Sequence, residues 1–332
     1  MALLSVGAAL LWFAFRGQDI NKLYNDLLNA RFGWIALSLI VSIIAHYIRA
    51  LRWKMLMKPL GYEPKTSTTF YAVMTGYLAN LAFPRMGEVS RCGVLVKTDQ
   101  IPLNSLFGTV ITERIIDVIF LLLILVSVIA IEFKVIGDFI YTHILSGMIS
   151  KIMGNTLIIA ILAIAMVSTL VTTWFLFKRF KDRLLQIAFI SKVVGFLNGL
   201  KEGLTSVLKM QRRGLFIVYS IAIWVCYYLS SYFCFFAIDA TSHLSPVIAL
   251  VVLAIGGLGM SAPVQGGIGA YHWIVSQGLM LFGLSQADGL VYATINHSMQ
   301  TVSILVVGGI SLVLVFLINK KNYQTPLNEQ HG

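Results

Sequence analysis

Residues 80–91 read Asn-Leu-Ala-Phe-Pro-Arg-Met-Gly-Glu-Val-Ser-Arg, and 22 residues further on the chain reads Glu113-Arg114-Ile115-Ile116-Asp117. Both runs sit in sequence that is otherwise apolar enough for lipid. Pro84 removes a helix donor and Gly87 loosens the backbone, so a helix entering near residue 66 must break between Phe83 and Glu88. A second apolar stretch, 246–284, is interrupted in the same way at Pro263-Val264-Gln265-Gly266-Gly267. Whether these breaks kink through-going helices or turn them back as hairpins decides the architecture.

The surroundings of the two breaks make the solvent clear. Of the 332 residues, 58% are hydrophobic and 12% charged, with mean hydropathy +0.84. Soluble domains have roughly 45–50% apolar and about 25% charged residues. Such an excess cannot be hidden in a soluble core, so most of the chain must face lipid. Uninterrupted apolar spans are expected at 34–50, 115–131, 155–177, 214–238 and 289–318. Residues 1–15 lack the basic flank and cleavage site of a signal peptide and read as a first, short span. Residues 16–33 alternate charge with Ile20, Leu23, Leu27 and Leu28, as an interfacial amphipathic helix does.

Charge orients these spans. Segments 49–65, 178–213 and 319–332 hold 16 of the 25 Lys and Arg but only 4 of the 14 acids, which predicts all three on the cytoplasmic side. Arg49, Arg52, Trp53 and Lys54 read as the girdle where the 34–50 span leaves lipid. That placement holds only if 66–112 enters and leaves from the inside and 246–284 from the outside. The expected fold is therefore all-α: a polytopic helical membrane protein, residues 1–332 forming one integral membrane domain. It would contain two inverted repeats, about 34–131 and 214–318, each with a broken re-entrant hairpin, and a basic amphipathic cytoplasmic loop at 178–213. Repeats of this kind place transporter sites between discontinuous helices. The net charge of +11 is thus a topology signal, with no nucleic-acid partner implied.

The remaining charges cluster. Arg85, Arg91, Lys97 and Arg114 balance Glu88, Asp99, Glu113 and Asp117 between residues 84 and 117. Glu113 and Asp117 are four apart and share a helix face, so a cation must lie between them, with Arg85, Arg91 and Arg114 the available ones. Such a set suits either internal pairing that holds the broken helix together or contact with a phosphate-bearing headgroup, for which Arg is the bidentate partner. At the second break, Gln265, Gly266, Gly267 and Gly269 could aim free N–H groups at an anion. His272, Asn296, His297 and Gln300 follow, and a buried histidine there reads as a hydrogen-bonded structural residue or a proton carrier. Cys92, Cys226 and Cys234 show no metal-ligand spacing and read as packing residues. No phosphate-binding G-x-x-x-x-G-K run, metal set or activated nucleophile is found, so no cofactor and no enzymatic activity are expected.

The motifs Asn80-x-x-x-Pro84-Arg85-x-Gly87-Glu88-x-x-Arg91, Glu113-Arg114-x-x-Asp117 and Pro263-x-x-Gly266-Gly267-x-Gly269 together resemble the membrane region of lysylphosphatidylglycerol synthases. That flippase-like family includes stand-alone bacterial members, and the resemblance runs from about residue 10 to 320. It departs at His272, where the pattern commonly carries an acid. The aminoacyl-transfer domain of the bifunctional relatives is not expected here. The resemblance implies a bacterial inner-membrane protein with both termini cytoplasmic, binding and translocating a phospholipid or other amphiphile. Its expected substrate contacts are Asn80, Arg85, Glu88, Arg91, Glu113, Arg114, Asp117, Gln265, Gly266, Gly267 and His272. Expected partners are that lipid, anionic lipids of the cytoplasmic leaflet and, if it forms a homo-oligomer, further copies of the chain. An intramembrane headgroup enzyme, or a non-catalytic partner of a lipid-modifying enzyme, are the alternatives.

Overall fold

A computed structural model describes residues 2–18, 20–140 and 210–329, with Ser168 and Val207. The predicted span 155–177 and nearly all of the basic loop 178–213 lie outside the described residues. The chain divides into two units, 1–128 with 206–332, and 129–205. In the second unit, the described residues finish one long helix and form a short helix, α7 (Phe133–Ile140).

The first unit is helical, with no strand among the described residues. Two short helices open it, α1 (Ala2–Phe15) and α2 (Ile20–Leu28), the latter inside the predicted interfacial segment. Four helices are long and apolar enough to cross a membrane: α3 (Phe32–Met57), α6 (Leu103–Ile131), α8 (Arg213–Phe235) and α11 (Gln286–Glu329). α3, α6 and α11 each contain a predicted span, and α8 covers 214–238 except for its last three residues. At 1.5 Å per residue the 29-residue α6 is about 43 Å long, enough for a tilted crossing. The 14-residue α1 is shorter than these spans.

Between α3 and α6 lies the first broken segment, α4 (Thr66–Ala82) and α5 (Met86–Asp99); between α8 and α11 lies the second, α9 (Pro246–Ser261) and α10 (Ala270–Met280). Both breaks fall where proline and glycine predicted them. The boundary after the first differs from expectation: the hairpin ends at Asp99, and Gln100-Ile101-Pro102 leads directly into α6. Glu113 and Asp117 are therefore in the body of a long helix rather than at the mouth of a span. The physical reason is that Pro102 stops one helix and starts the next, a boundary that hydropathy alone does not register.

Packing follows from small residues. Gly76 on α4 faces Gly87 on α5 so closely that a Cβ on Gly87 would lie 2.4 Å from the Gly76 carbonyl oxygen. Trp53, Met57, Leu95, Leu106 and Phe216 fill one buried cluster, and Phe235, Tyr271, Val275, Leu290 and Tyr292 fill another. All three cysteines are free, with Cys92 and Cys234 buried. By contrast Ile111, Leu123, Val126, Val306, Ile310 and Phe316 are exposed on α6 and α11. Apolar faces of that extent are the surface lipid covers.

Candidate functional site

The body of α6 presents Glu113 and Asp117 inward, four residues apart on one face, as expected. The cation between them is Arg49 of α3. Its Nη1 lies 2.7 Å from Glu113 Oε1 and 2.9 Å from Asp117 Oδ2. Arg52, one turn further along α3, donates from Nη2 to Asp117 Oδ1 at 2.7 Å and from Nη1 to the Ser220 hydroxyl at 3.2 Å. From α5, Arg91 Nη1 reaches Glu113 Oε1 at 3.2 Å while its guanidinium lies 4.6 Å over the Trp53 ring. Glu113 and Arg52 have no solvent exposure at all, and Arg49 and Arg91 are buried. Isolated charges at that depth would be costly, so the residues survive there as a network.

Arg49 and Arg52 are a correction to the reading of the α3 terminus. In one dimension they follow an apolar run and resemble a membrane-leaving girdle. In the helix, positions 49, 52 and 53 fall on one face with His46, and that face turns inward. The signal available in sequence was the three-residue spacing of two arginines matched against the four-residue spacing of two acids. With these two set apart, the orientation expected from the sequence rests on the other 14 of the 16 basic residues in those segments.

Three buried guanidiniums thus meet two carboxylates, and Arg91 Nε and Nη2 have no hydrogen-bond partner among the described residues. One turn toward the break, Glu88 accepts from Arg114 Nη2 at 2.7 Å in a half-exposed pair. Of the expected cations, Arg91 therefore serves Glu113, and Arg114 serves Glu88. Arg85 does neither: it is exposed, forms no ion pair or hydrogen bond among the described residues, and adopts a left-handed φ of 64° just before α5. That region costs a non-glycine residue about 1–2 kcal/mol. Asn80 is a staple rather than a free polar group, its Oδ1 accepting from the Gly87 N–H at 2.7 Å.

The two breaks meet. Gln265 Nε2 donates to the carbonyl of Ala82, the last residue of α4, at 3.0 Å, and a Cβ on Gly266 would lie 2.8 Å from Leu81. Gly266 and Gly267 have φ of 55° and 75°, which is why this turn needs glycine. His297 of α11 donates from Nε2 to the Gly266 carbonyl at 2.8 Å, and its ring centroid is 4.9 Å from that of His272. Asn296 donates to the Tyr271 hydroxyl at 2.7 Å and accepts from Gln300 at 3.2 Å. Of the expected site residues, Arg91, Glu113 and Asp117 join the ionic network, Glu88 pairs with Arg114, Asn80 holds Gly87, Gln265 and Gly266 stand where the two breaks meet, and His272 lies against His297.

An apolar cleft of about 430 Å³ opens among α6, α8 and α9, lined by Phe120, Ile124, Trp224, Tyr228 and Leu250. Trp224 stacks on Phe120 and meets Tyr227 edge-on, and the Tyr227 hydroxyl accepts from Arg49 Nε at 3.3 Å. The cleft and the ionic network are thus separated by two aromatic rings. No group of three or more metal-ligating side chains occurs among the described residues.

The sequence model described as "Lysylphosphatidylglycerol synthase TM region" matches residues 1–308. A UPF0104 membrane protein of Methanocaldococcus jannaschii is 33% identical over 101 residues, 30% of this chain and 30% of that protein. Glycosyltransferase AglD of Haloferax volcanii is 26% identical over 102 residues, which cover 30% of this chain and 16% of that protein. The match therefore spans less than a third of either relative. No solved structure matches.

Proposed function

Because the chain belongs to the lysylphosphatidylglycerol synthase transmembrane-region family, we propose that it binds an amphiphile by its polar head where the two broken hairpins meet, and moves that head across the membrane. The observation that carries this reading is the junction itself. Gln265 of the second break holds the end of α4, and Arg85 stands beside that end as an exposed guanidinium with no partner among the described residues. A phosphate is the natural ligand for such a group. The apolar cleft behind Tyr227 and Trp224 supplies a surface for the lipid tail within reach of the buried network.

In this reading Arg85 makes first contact with the head, Arg114 and Glu88 form a pair that can exchange its partner for phosphate, and Arg91 offers its two unpaired nitrogens. Glu113 and Asp117 hold those arginines in register. The halves 34–131 and 214–318 act as inverted repeats in the inner (cytoplasmic) membrane, both termini inside. The protein acts without catalysis; its partners are the transported lipid and the anionic lipids around its basic segments.

The test is headgroup translocation in proteoliposomes made from the purified full chain. Wild type should exceed empty vesicles, and Arg85→Ala should fall toward the empty-vesicle rate while unfolding at the same temperature. Equal rates for the two proteins, or a wild type no faster than empty vesicles, would overturn the reading. The name of the Haloferax relative favours one second reading, a membrane partner of a lipid-linked sugar transferase. Co-purification of such an enzyme together with absent translocation would select it.

A further inference from the structure

The charges around the first break balance in sequence, and the fold unbalances them. Arg49 and Arg52 join from α3, so five arginines stand among three carboxylates. Lys97 and Asp99, further along α5, cancel each other. Two guanidinium charges are therefore surplus. One belongs to the buried set, where Arg49, Arg52 and Arg91 share Glu113 and Asp117; the other is Arg85, exposed at the left-handed start of α5.

The surplus shows as unused donors. Arg91 is 4% exposed and Arg52 not at all, yet Arg91 Nε and Nη2 and Arg52 Nε have no acceptor among the described residues. The two free nitrogens of Arg91 form one edge of its guanidinium, the fork that fits two oxygens of a phosphate. Acceptors, by contrast, are taken: Glu88 by Arg114, Glu113 by Arg49 and Arg91, and Asp117 by Arg49 and Arg52. The second break adds no acid, since residues 246–280 contain neither Asp nor Glu. Uncompensated guanidiniums within lipid-crossing helices are costly, so a bound anion relieves the site and an ammonium group burdens it further. Glu88 precedes Arg91 by one turn of α5 and Arg114 follows Glu113 on α6, which sets the half-exposed pair next to the buried fork.

We propose that this site selects its lipid by head charge: it binds heads of net negative charge, phosphates that bring no ammonium of their own, and discriminates against zwitterionic and cationic heads. The inference deepens the reading given above, that a polar head binds where the hairpins meet, and rests on it. Phosphate oxygens take the free fork of Arg91 and the guanidinium of Arg85. A head with an ammonium group must instead draw a carboxylate away from an arginine and leave a further guanidinium unpaired. Lysylphosphatidylglycerol, which gives the family its name, carries two ammonium groups on one phosphodiester and is the head this chain should bind least.

Equilibrium binding of lipids with identical tails to the purified full chain in detergent tests the selection, at about 0.5 M salt so that attraction to exposed basic segments is screened. Phosphatidic acid and phosphatidylglycerol should bind roughly tenfold or more tightly than phosphatidylethanolamine, with lysylphosphatidylglycerol weakest. Arg85→Glu cancels the surplus and should bring the anionic and zwitterionic lipids within about threefold of each other. Lys97→Glu makes the same change in net charge at an exposed position outside the cluster and should keep the wild-type order. Both variants should unfold at the wild-type temperature. Equal affinities in wild type, an order that Arg85→Glu leaves intact, or an equal loss in Lys97→Glu overturns the proposal. Displacement of phosphatidic acid by inorganic phosphate at similar concentration would assign the selectivity to the phosphate group alone, and resistance to it would assign it to the lipid. Binding of every head without preference would sink the charge selection and leave the head-binding reading standing; binding of none would sink both.

Discussion

Replacing Glu113 by glutamine keeps the shape of the ionic network and removes one charge from its centre. In the native protein three buried guanidiniums, from Arg49, Arg52 and Arg91, share two carboxylates. After Glu113→Gln they share one, and the new amide N–H₂ must point at a guanidinium or lose its own partner. With about 4 Å between charge centres and an effective dielectric near 20, each of the two close Glu113 pairs has a gross worth of about 4 kcal/mol. Desolvation offsets much of that, and breaking a buried pair by removing one partner leaves a net cost of about 3–5 kcal/mol. The unfolding equilibrium should therefore move by roughly two to three and a half decades. Detergent-solubilised protein titrated with a denaturing detergent and followed by tryptophan fluorescence gives that number. The double variant Glu113→Gln/Arg91→Met restores the native excess of one positive charge, with methionine able to lie on the Trp53 ring as Arg91 does. It should recover at least about 1 kcal/mol of the loss, a coupling within the range seen for contacting residues. A cost below about 1 kcal/mol for Glu113→Gln, or strict additivity in the double variant, would refute the network as drawn.

Other perturbations separate the breaks from the spans around them. Gly87→Ala puts a Cβ 2.4 Å from both the Gly76 carbonyl oxygen and Asn80 Nδ2, and should cost about 1–3 kcal/mol or abolish folded expression. Gly108→Ala, with nothing within 4 Å on α6, should be neutral or stabilising by up to about 1 kcal/mol in the same titration. Asn80→Ala orphans the Gly87 N–H and should destabilise by about 1–3 kcal/mol, with the greatest loss of hydrogen-exchange protection at residues 83–88. Gly266→Ala combines a left-handed φ of 55° with a Cβ 2.8 Å from Leu81; at least about 1–2 kcal/mol should be lost, read as a lower melting temperature and faster exchange at the turn.

Much of this organisation is legible in one dimension because lipid is an exacting solvent. A backbone inside it must satisfy its own hydrogen bonds, so long apolar runs can only be helices, and proline or glycine within them marks where the run must stop. The four long spans, both breaks and the need for a cation between Glu113 and Asp117 all follow from that rule. Asn80, expected from the sequence as a substrate contact, is in the structure the staple of the break, its Oδ1 accepting from the Gly87 N–H seven residues on.

Composition and periodicity by themselves determined that the chain is a helical membrane protein, where its helices run and where two of them break. Only the tertiary structure decided which charges meet. Arg49 and Arg52 stand at the end of an apolar run, and hydropathy assigns such residues to the membrane surface. Yet the helix carries them round to the face that meets α6, and their partners lie 64 to 68 residues away along the chain. The same holds for Gln265 and Ala82, 183 residues apart. Burial in lipid is a property of each segment's own side chains, so sequence states it locally. Ion pairing is a property of two surfaces brought together, and it exists only once the helices have packed.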